Sequence, residues 1–161
     1  MPDGTPLVPF WGAGRLFPGA YPAGTLVAYD PNTMDWWLAA RTAEGLRWTQ
    51  AGNTAGFGQV ADGRPFWTGD FTGTGHTQIL FYYPGDQNWW VGTVNGSALN
   101  WALWGNTSGF GNTVHDPTWT GNFTGQGRTE VLFYSPGDYN WWLGTSSAGR
   151  QQWALVGQGA G

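Results

Sequence analysis

The sequence predicts an all-β fold built from three four-stranded antiparallel sheets, one per repeat. Three observations carry the prediction. The chain repeats itself three times along its 161 residues. Each repeat is cut by glycine and proline turns into segments of strand length that are rich in aromatic and β-branched residues. No window holds the 3.6-residue apolar period of a helix. The composition agrees: 28 glycines and 10 prolines supply the turns, and 13 Trp, 9 Phe and 6 Tyr supply a core that no disordered chain would carry.

The repeat is clearest at the paired tryptophans. Trp36-Trp37 returns as Trp89-Trp90 and Trp141-Trp142, at steps of 53 and 52 residues. Around them run LVAYDPNTMDWWLAA (26–40), ILFYYPGDQNWWVGT (79–93) and VLFYSPGDYNWWLGT (131–145). Downstream lie LRWTQAGNTAGFG (46–58), LNWALWGNTSGFG (99–111) and QQWALVGQGAG (151–161). Upstream, PFWTGDFTGTGHT (65–77) matches PTWTGNFTGQGRT (117–129), and PFWGAGRLFPGAYPAGT (9–25) is a first copy with a few extra residues. The chain thus divides into a tail at 1–8 and repeats at 9–63, 64–116 and 117–161, the third stopping where its Gly-Phe-Gly segment would begin.

The second repeat sets the order of elements. A first strand near 66–71 leads to a glycine-rich turn at Thr72 to Gly75. A second, 78–83, ends at Pro84-Gly85-Asp86, a strong break. The third, 88–94, holds the tryptophan pair and ends at Asn95-Gly96, a favoured hairpin dipeptide. The fourth, 98–104, runs into Gly105-Asn106-Thr107 and the Gly-Phe-Gly connector between repeats.

Leu80-Phe81-Tyr82-Tyr83 and Trp89-Trp90-Val91 are apolar on both sides of the strand alternation, whereas a sheet with one wet face alternates apolar and polar residues. Sheets stacked radially as β-propeller blades, each covered on both faces, satisfy that pattern. A β-trefoil is the alternative, since it too uses three repeats. Propellers close with roughly four to eight blades, so three per chain predict a ring completed by oligomerisation. A homodimer with six blades is the simplest homo-oligomer of this kind.

Gly69-Asp70-Phe71-Thr72-Gly73-Thr74-Gly75-His76-Thr77-Gln78-Ile79-Leu80, with Trp89-Trp90 two strands on, resembles the FG-GAP (VCBS-like) repeat. That repeat builds the blades of integrin-type β-propellers and of a seven-bladed fungal lectin. The resemblance implies propeller blades, a secreted or cell-surface setting and a sugar-binding role. The family's calcium loop sets oxygen ligands, preferably carboxylates, at alternate positions. Here those positions hold Asp70, Thr72, Thr74, His76 and Gln78, then Asn122, Thr124, Gln126, Arg128 and Glu130, with no carboxylate in the first copy (Pro18 to Thr25). One carboxylate per loop is too little charge for a tight site, and no metal or other cofactor is expected.

Several function classes are disfavoured. Charged residues make up 10% of the chain against roughly 25% in typical domains, the net charge is −4, and all six basic residues are arginines. A nucleic-acid binder carries a basic footprint that is missing here. The longest apolar run, Ile79 to Tyr83, is far short of a membrane helix, so no membrane insertion is expected. Residues Met1 to Gly14 lack the basic start and apolar core of a signal peptide. Catalysis finds no constellation: there is no cysteine, no GxSxG, and the two histidines, His76 and His115, fall at non-equivalent points of the repeat. Asp30, Asp86 and Asp138 stand in turns, where capping the backbone is their ordinary use. The protein is not expected to be an enzyme.

Binding of neutral glycans fits better. A sugar offers a C–H face that packs on an aromatic ring and hydroxyls that need paired donors and acceptors. Each repeat supplies that pairing as Asp35-Trp36-Trp37, Asn88-Trp89-Trp90 and Asn140-Trp141-Trp142, and Asn53 and Asn106 in the turns ahead of Phe57 and Phe110 add amides. Neighbouring strand residues point to opposite faces, so at most one tryptophan of each pair faces a given crevice. The expectation is a multivalent, lectin-like module with repeat-equivalent sites. Its rival is a protein-binding or structural scaffold in which every paired tryptophan is core.

Overall fold

The computed structural model describes residues 15–57, 66–110 and 116–159. The tail at 1–8, residues 9–14 and the boundary near 64 lie outside them. Three four-stranded antiparallel sheets follow one another along the chain, each a meander of consecutive strands. Sheet 1 contains β1 (Arg15–Phe17), β2 (Leu26–Asp30), β3 (Asp35–Thr42) and β4 (Gly45–Asn53). Sheet 2 contains β5 (Phe66–Gly69), β6 (Gln78–Tyr83), β7 (Asn88–Asn95) and β8 (Ala98–Asn106). Sheet 3 contains β9 (Thr118–Gly121), β10 (Glu130–Ser135), β11 (Asn140–Ser147) and β12 (Arg150–Gln158). Among the described residues there is no α-helix, only single 3-10 turns at Pro22–Gly24, Ala55–Phe57 and Ser108–Phe110, and the sheets do not join into a closed barrel.

The registers repeat with the sequence. Tyr29, Tyr82 and Tyr134 stand opposite Trp36, Trp89 and Trp141. In each sheet the last strand carries a bulge opposite the tryptophan pair, with Ala51, Trp104 or Val156 as the extra residue. Trp101 lies across Gly92 and Trp153 across Gly144, where an added Cβ would come within 2.6 and 2.7 Å of the rings. That explains the small residue two places after each of these tryptophan pairs.

Two details depart from the sequence reading. The hairpin between the third and fourth strands turns on Gly96 and Ser97, with Asn95 still paired to Ala98. In the first repeat the leading strand is Arg15–Phe17, so that Phe17, opposite Val27, takes the place that Trp67, opposite Leu80, has in sheet 2. The shorter loop that follows puts Gly24 where the other repeats have Thr77 and Thr129.

The strand alternation sorts the apolar residues onto two faces. Ile79, Phe81, Val94 and Leu99 of sheet 2 pack on Phe17, Tyr21, Val27, Tyr29, Trp36 and Leu38 of sheet 1. Leu80, Tyr82, Trp89, Val91, Phe71 and Trp104 point the other way, toward Val131 and Trp153 of sheet 3. Sheet 2 is therefore covered on both sides. Each junction is also clasped by one threonine. Thr77 N–H donates to Ala20 O (2.9 Å) while its Oγ1 accepts from Ala20 N–H (2.7 Å). Thr129 and Asp70 repeat both bonds at 2.9 Å.

Trp36 and Trp89 are buried, and their indole N–H groups donate to Thr54 and Thr107 at 3.0 Å. These threonines in turn donate their backbone N–H to Met34 and Gln87, non-glycine residues held at φ +64° and +61°. The left-handed turn aims a carbonyl at the chain leaving the sheet, at a cost of roughly 1–2 kcal/mol per residue. Thr54→Val keeps the shape but removes the acceptor from a buried indole. It should lower the unfolding free energy by about 1–3 kcal/mol, read from the midpoint of urea denaturation; an unchanged midpoint would remove this bond from the account.

Candidate functional site

The structure separates the two tryptophans of each pair, because adjacent strand residues face opposite sides. Trp36 and Trp89 fill the two junctions from one side, with Phe17 and Tyr29 against the first and Trp67 and Tyr82 against the second. Their ring faces and N–H groups are engaged. Trp141 holds the same position in sheet 3, stacked on Trp119 at 5.6 Å, and is half-buried on that sheet's outer side. Trp37, Trp90 and Trp142 are half-buried on the other faces. Trp90 packs against the sheet 1–sheet 2 core and Trp142 lies edge-on to Phe110 at 4.7 Å.

The polar partners proposed from sequence are drawn into the scaffold. Asn53 donates to Asp35 Oδ1 (2.8 Å) and Thr33 O (2.9 Å) and accepts from Ala55 N–H (2.8 Å), and Gln50 also donates to Asp35 (2.6 Å). Asn106 repeats the pattern with Asn88 Oδ1 (2.7 Å), Asp86 O (2.9 Å) and Ser108 N–H (2.8 Å). These amides tie the third strand to the end of the fourth and start the 3-10 turn. In sheet 3, Gln158 stands opposite Asn140 in place of that asparagine, and Asn140 Oδ1 is buried without a hydrogen-bond partner.

The junction between sheets 2 and 3 carries a set of groups of which the sequence reading singled out only Trp142. Trp142, Ser146, Gln151 and Trp153 lie on the face of sheet 3 that meets sheet 2, with Ser146 directly opposite Gln151 in the β11–β12 ladder. The indole nitrogens of Trp142 and Trp153, the Ser146 hydroxyl and both amide atoms of Gln151 are buried with no hydrogen-bond partner. Gln151 lies over Gly105 so closely that a Cβ there would be 2.0 Å from its Oε1. Phe110 inserts at the same junction, 6.1 Å from Trp153 and 5.4 Å from Phe133, so this residue of the Gly-Phe-Gly segment contributes packing. Arg128 borders the group and donates to Ser146 O at 2.8 Å.

The sheet 1–sheet 2 junction is the control for this polarity. It too has buried polar atoms without a hydrogen-bond partner, the Trp101 indole nitrogen and the Tyr21 hydroxyl. But Val94 and Leu99, both buried, hold the positions of Ser146 and Gln151. The fold therefore does not need a hydroxyl and an amide there. The switch from Val/Leu to Ser/Gln is visible in the aligned repeats, and it is the signal by which sequence alone could have found these residues.

The glycine-rich loops are closed by their own acidic groups. Asp70 accepts from Thr74 N–H (2.7 Å), Thr74 Oγ1 (3.1 Å) and Gly75 N–H (2.8 Å). Glu130, buried, accepts from the N–H groups of Phe123 and Thr124 and from the Thr124 hydroxyl. Among the described residues, no three His, Asp or Glu side chains come together as a metal site, and no helix is long and apolar enough to cross a membrane. His76 is exposed in its loop, and His115 lies outside the described residues.

No known family model matches the chain, and no curated protein is significantly similar to it.

The carboxylates of both loops are already satisfied by backbone and hydroxyl donors, so a chelator should leave the thermal midpoint where it is. A drop on adding EDTA, restored by calcium, would contradict this description of the loops.

Proposed function

We propose that the protein is a non-catalytic, lectin-like module in which three propeller-type blades bind neutral glycans, with a principal site at the junction of sheets 2 and 3. One observation carries the reading. At positions where the other junction is apolar, this one holds Ser146 and Gln151, whose side-chain polar atoms have no hydrogen-bond partner, beside the rings of Trp142, Trp153 and Phe110. Buried polar groups are nearly always paired, and several left over side by side support a site for a polar partner. A hydroxyl, a carboxamide and indole N–H donors between aromatic faces match what a sugar offers: hydroxyls that both give and accept, and an apolar C–H face. The group has the general make-up of a small-molecule site, mostly apolar with a few polar atoms that fix orientation. Its bordering charge, Arg128, already donates to a backbone carbonyl, which favours neutral over acidic sugars.

The full burial of Trp36 and Trp89 and the internal bonding of Asn53 and Asn106 favour a second reading, a protein-binding or structural scaffold of the same blades. The two separate cleanly. Gln151→Leu with Ser146→Val copies the apolar pair of the other junction and removes the unpaired groups, so the thermal midpoint should hold or rise. On a glycan array, the unaltered protein should bind neutral glycans and the double variant should lose that binding. The lectin reading is wrong if no glycan binds, or if the double variant binds as well as the parent.

A further inference from the structure

The exposed large apolar residues gather mainly at the two ends of the stack. On the side of sheet 1 away from sheet 2, Leu16, Leu26 and Leu46 are 61%, 38% and 52% exposed. Their counterparts in sheet 2 are Phe66, packed against the first core, and Ile79 and Leu99, exposed by only 0% and 5% because sheet 1 covers them. On the side of sheet 3 away from sheet 2, Trp119, Phe123 and Val156 are 48%, 48% and 53% exposed. Their counterparts Trp67, Phe71 and Trp104 lie in the core that sheet 3 covers, Phe71 and Trp104 at 0% and 2%. The aromatic geometry of that cover is already in place. Trp119 stacks on Trp141 at 5.6 Å and 28°, as Trp67 does on Trp89 at 5.4 Å and 27°. Tyr134 meets Trp141 at 5.0 Å, as Tyr82 meets Trp89 at 5.1 Å.

We infer that the outer face of sheet 3 docks the outer face of sheet 1 from a second copy of the chain, and that two copies close head to tail into a ring of six sheets. The occupant follows from continuity with the junctions inside the chain. Each is a Trp67-type face meeting an Ile79-type face, and sheets 3 and 1 leave one example of each exposed. The two unused faces belong to different surfaces, so the contact is heterologous, and a heterologous contact closes only if the rotation between copies completes a circle. Six blades fall within the range at which propellers close, and in a two-copy ring both new junctions are identical. This inference rests on the blade-like arrangement of the sheets and not on where a sugar binds.

The new junction differs from the internal ones in two places. Gly24 replaces the clasping Thr77 and Thr129, and Arg41 stands where Val94 is. The intermolecular contact therefore lacks the threonine hydroxyl, and apolar contact supplies its strength. Contiguous apolar faces of this kind rarely stay open to water on a monomer.

Light scattering coupled to size exclusion, applied to the full chain, tests the proposal. The unaltered protein should elute at twice the chain mass of 17.5 kDa. Leu46→Glu spoils only the sheet 1 face and Val156→Glu only the sheet 3 face, and each should be a monomer with an unchanged circular dichroism spectrum. An equimolar mixture of the two should regain the doubled mass, because one intact sheet 3 face then meets one intact sheet 1 face. Leu26→Glu and Phe123→Glu serve as the second pair if either variant unfolds. A monomeric parent, a mass of three or more copies, or a Leu46→Glu variant that stays dimeric would each overturn the head-to-tail ring; the last would show two sheet 3 faces meeting each other.

Discussion

Sheet 2 has no face that it can leave to water, and the rest of the structure depends on that constraint. Leu80 and Tyr82 point to one side of β6 while Ile79 and Phe81 point to the other, and all four are fully buried. A four-stranded sheet of this kind has to be a middle layer. The backbone adapts to the stacking: a glycine lies under Trp101 and another under Trp153, a bulge sends Trp104 into the next sheet, and a threonine N–H and hydroxyl clasp each neighbour. Thr54 and Thr107 satisfy the buried indoles of Trp36 and Trp89, where an unmade bond at a buried donor costs about 1–3 kcal/mol.

Much of this was legible in the sequence because strand alternation and repetition are local signals. The second strand of sheet 2 spans Gln78–Tyr83, as its run of apolar residues between a glycine turn and Pro84 indicated. Less was legible where the backbone follows a distant contact. The turn after Pro84-Gly85-Asp86 takes its left-handed residue at Gln87 rather than at a glycine, because the Gln87 carbonyl receives the N–H of Thr107. The leading strand of the first repeat is Arg15–Phe17, whereas the better match to PFW lies at residues 9–11, outside the described region.

The candidate site was legible only in part. The paired tryptophans mark the two sides of each sheet, and the alternation rule required their separation. Which side is core is set by the neighbouring sheet, which local sequence does not name. The asparagines beside them read equally well as ligand donors or as strand ties, and hydrogen bonds from Asn53 to Asp35 and from Asn106 to Asn88 use them as ties. The polar set at the second junction shows itself only by comparison between repeats, where Val94 and Leu99 become Ser146 and Gln151. Repetition thus separates what the fold requires from what it merely permits, and the permitted differences are where function is to be sought.

The claim that no sheet stands without its neighbours is tested most directly by native-state hydrogen exchange on the intact chain. If the sheets stabilise one another across their junctions, the slowest amides of β2 and β3, β6 and β7, and β10 and β11 exchange together, with one opening free energy equal to that of global unfolding. If one sheet opened while the other two kept their full protection, the sheets would be independent units and the account would fail.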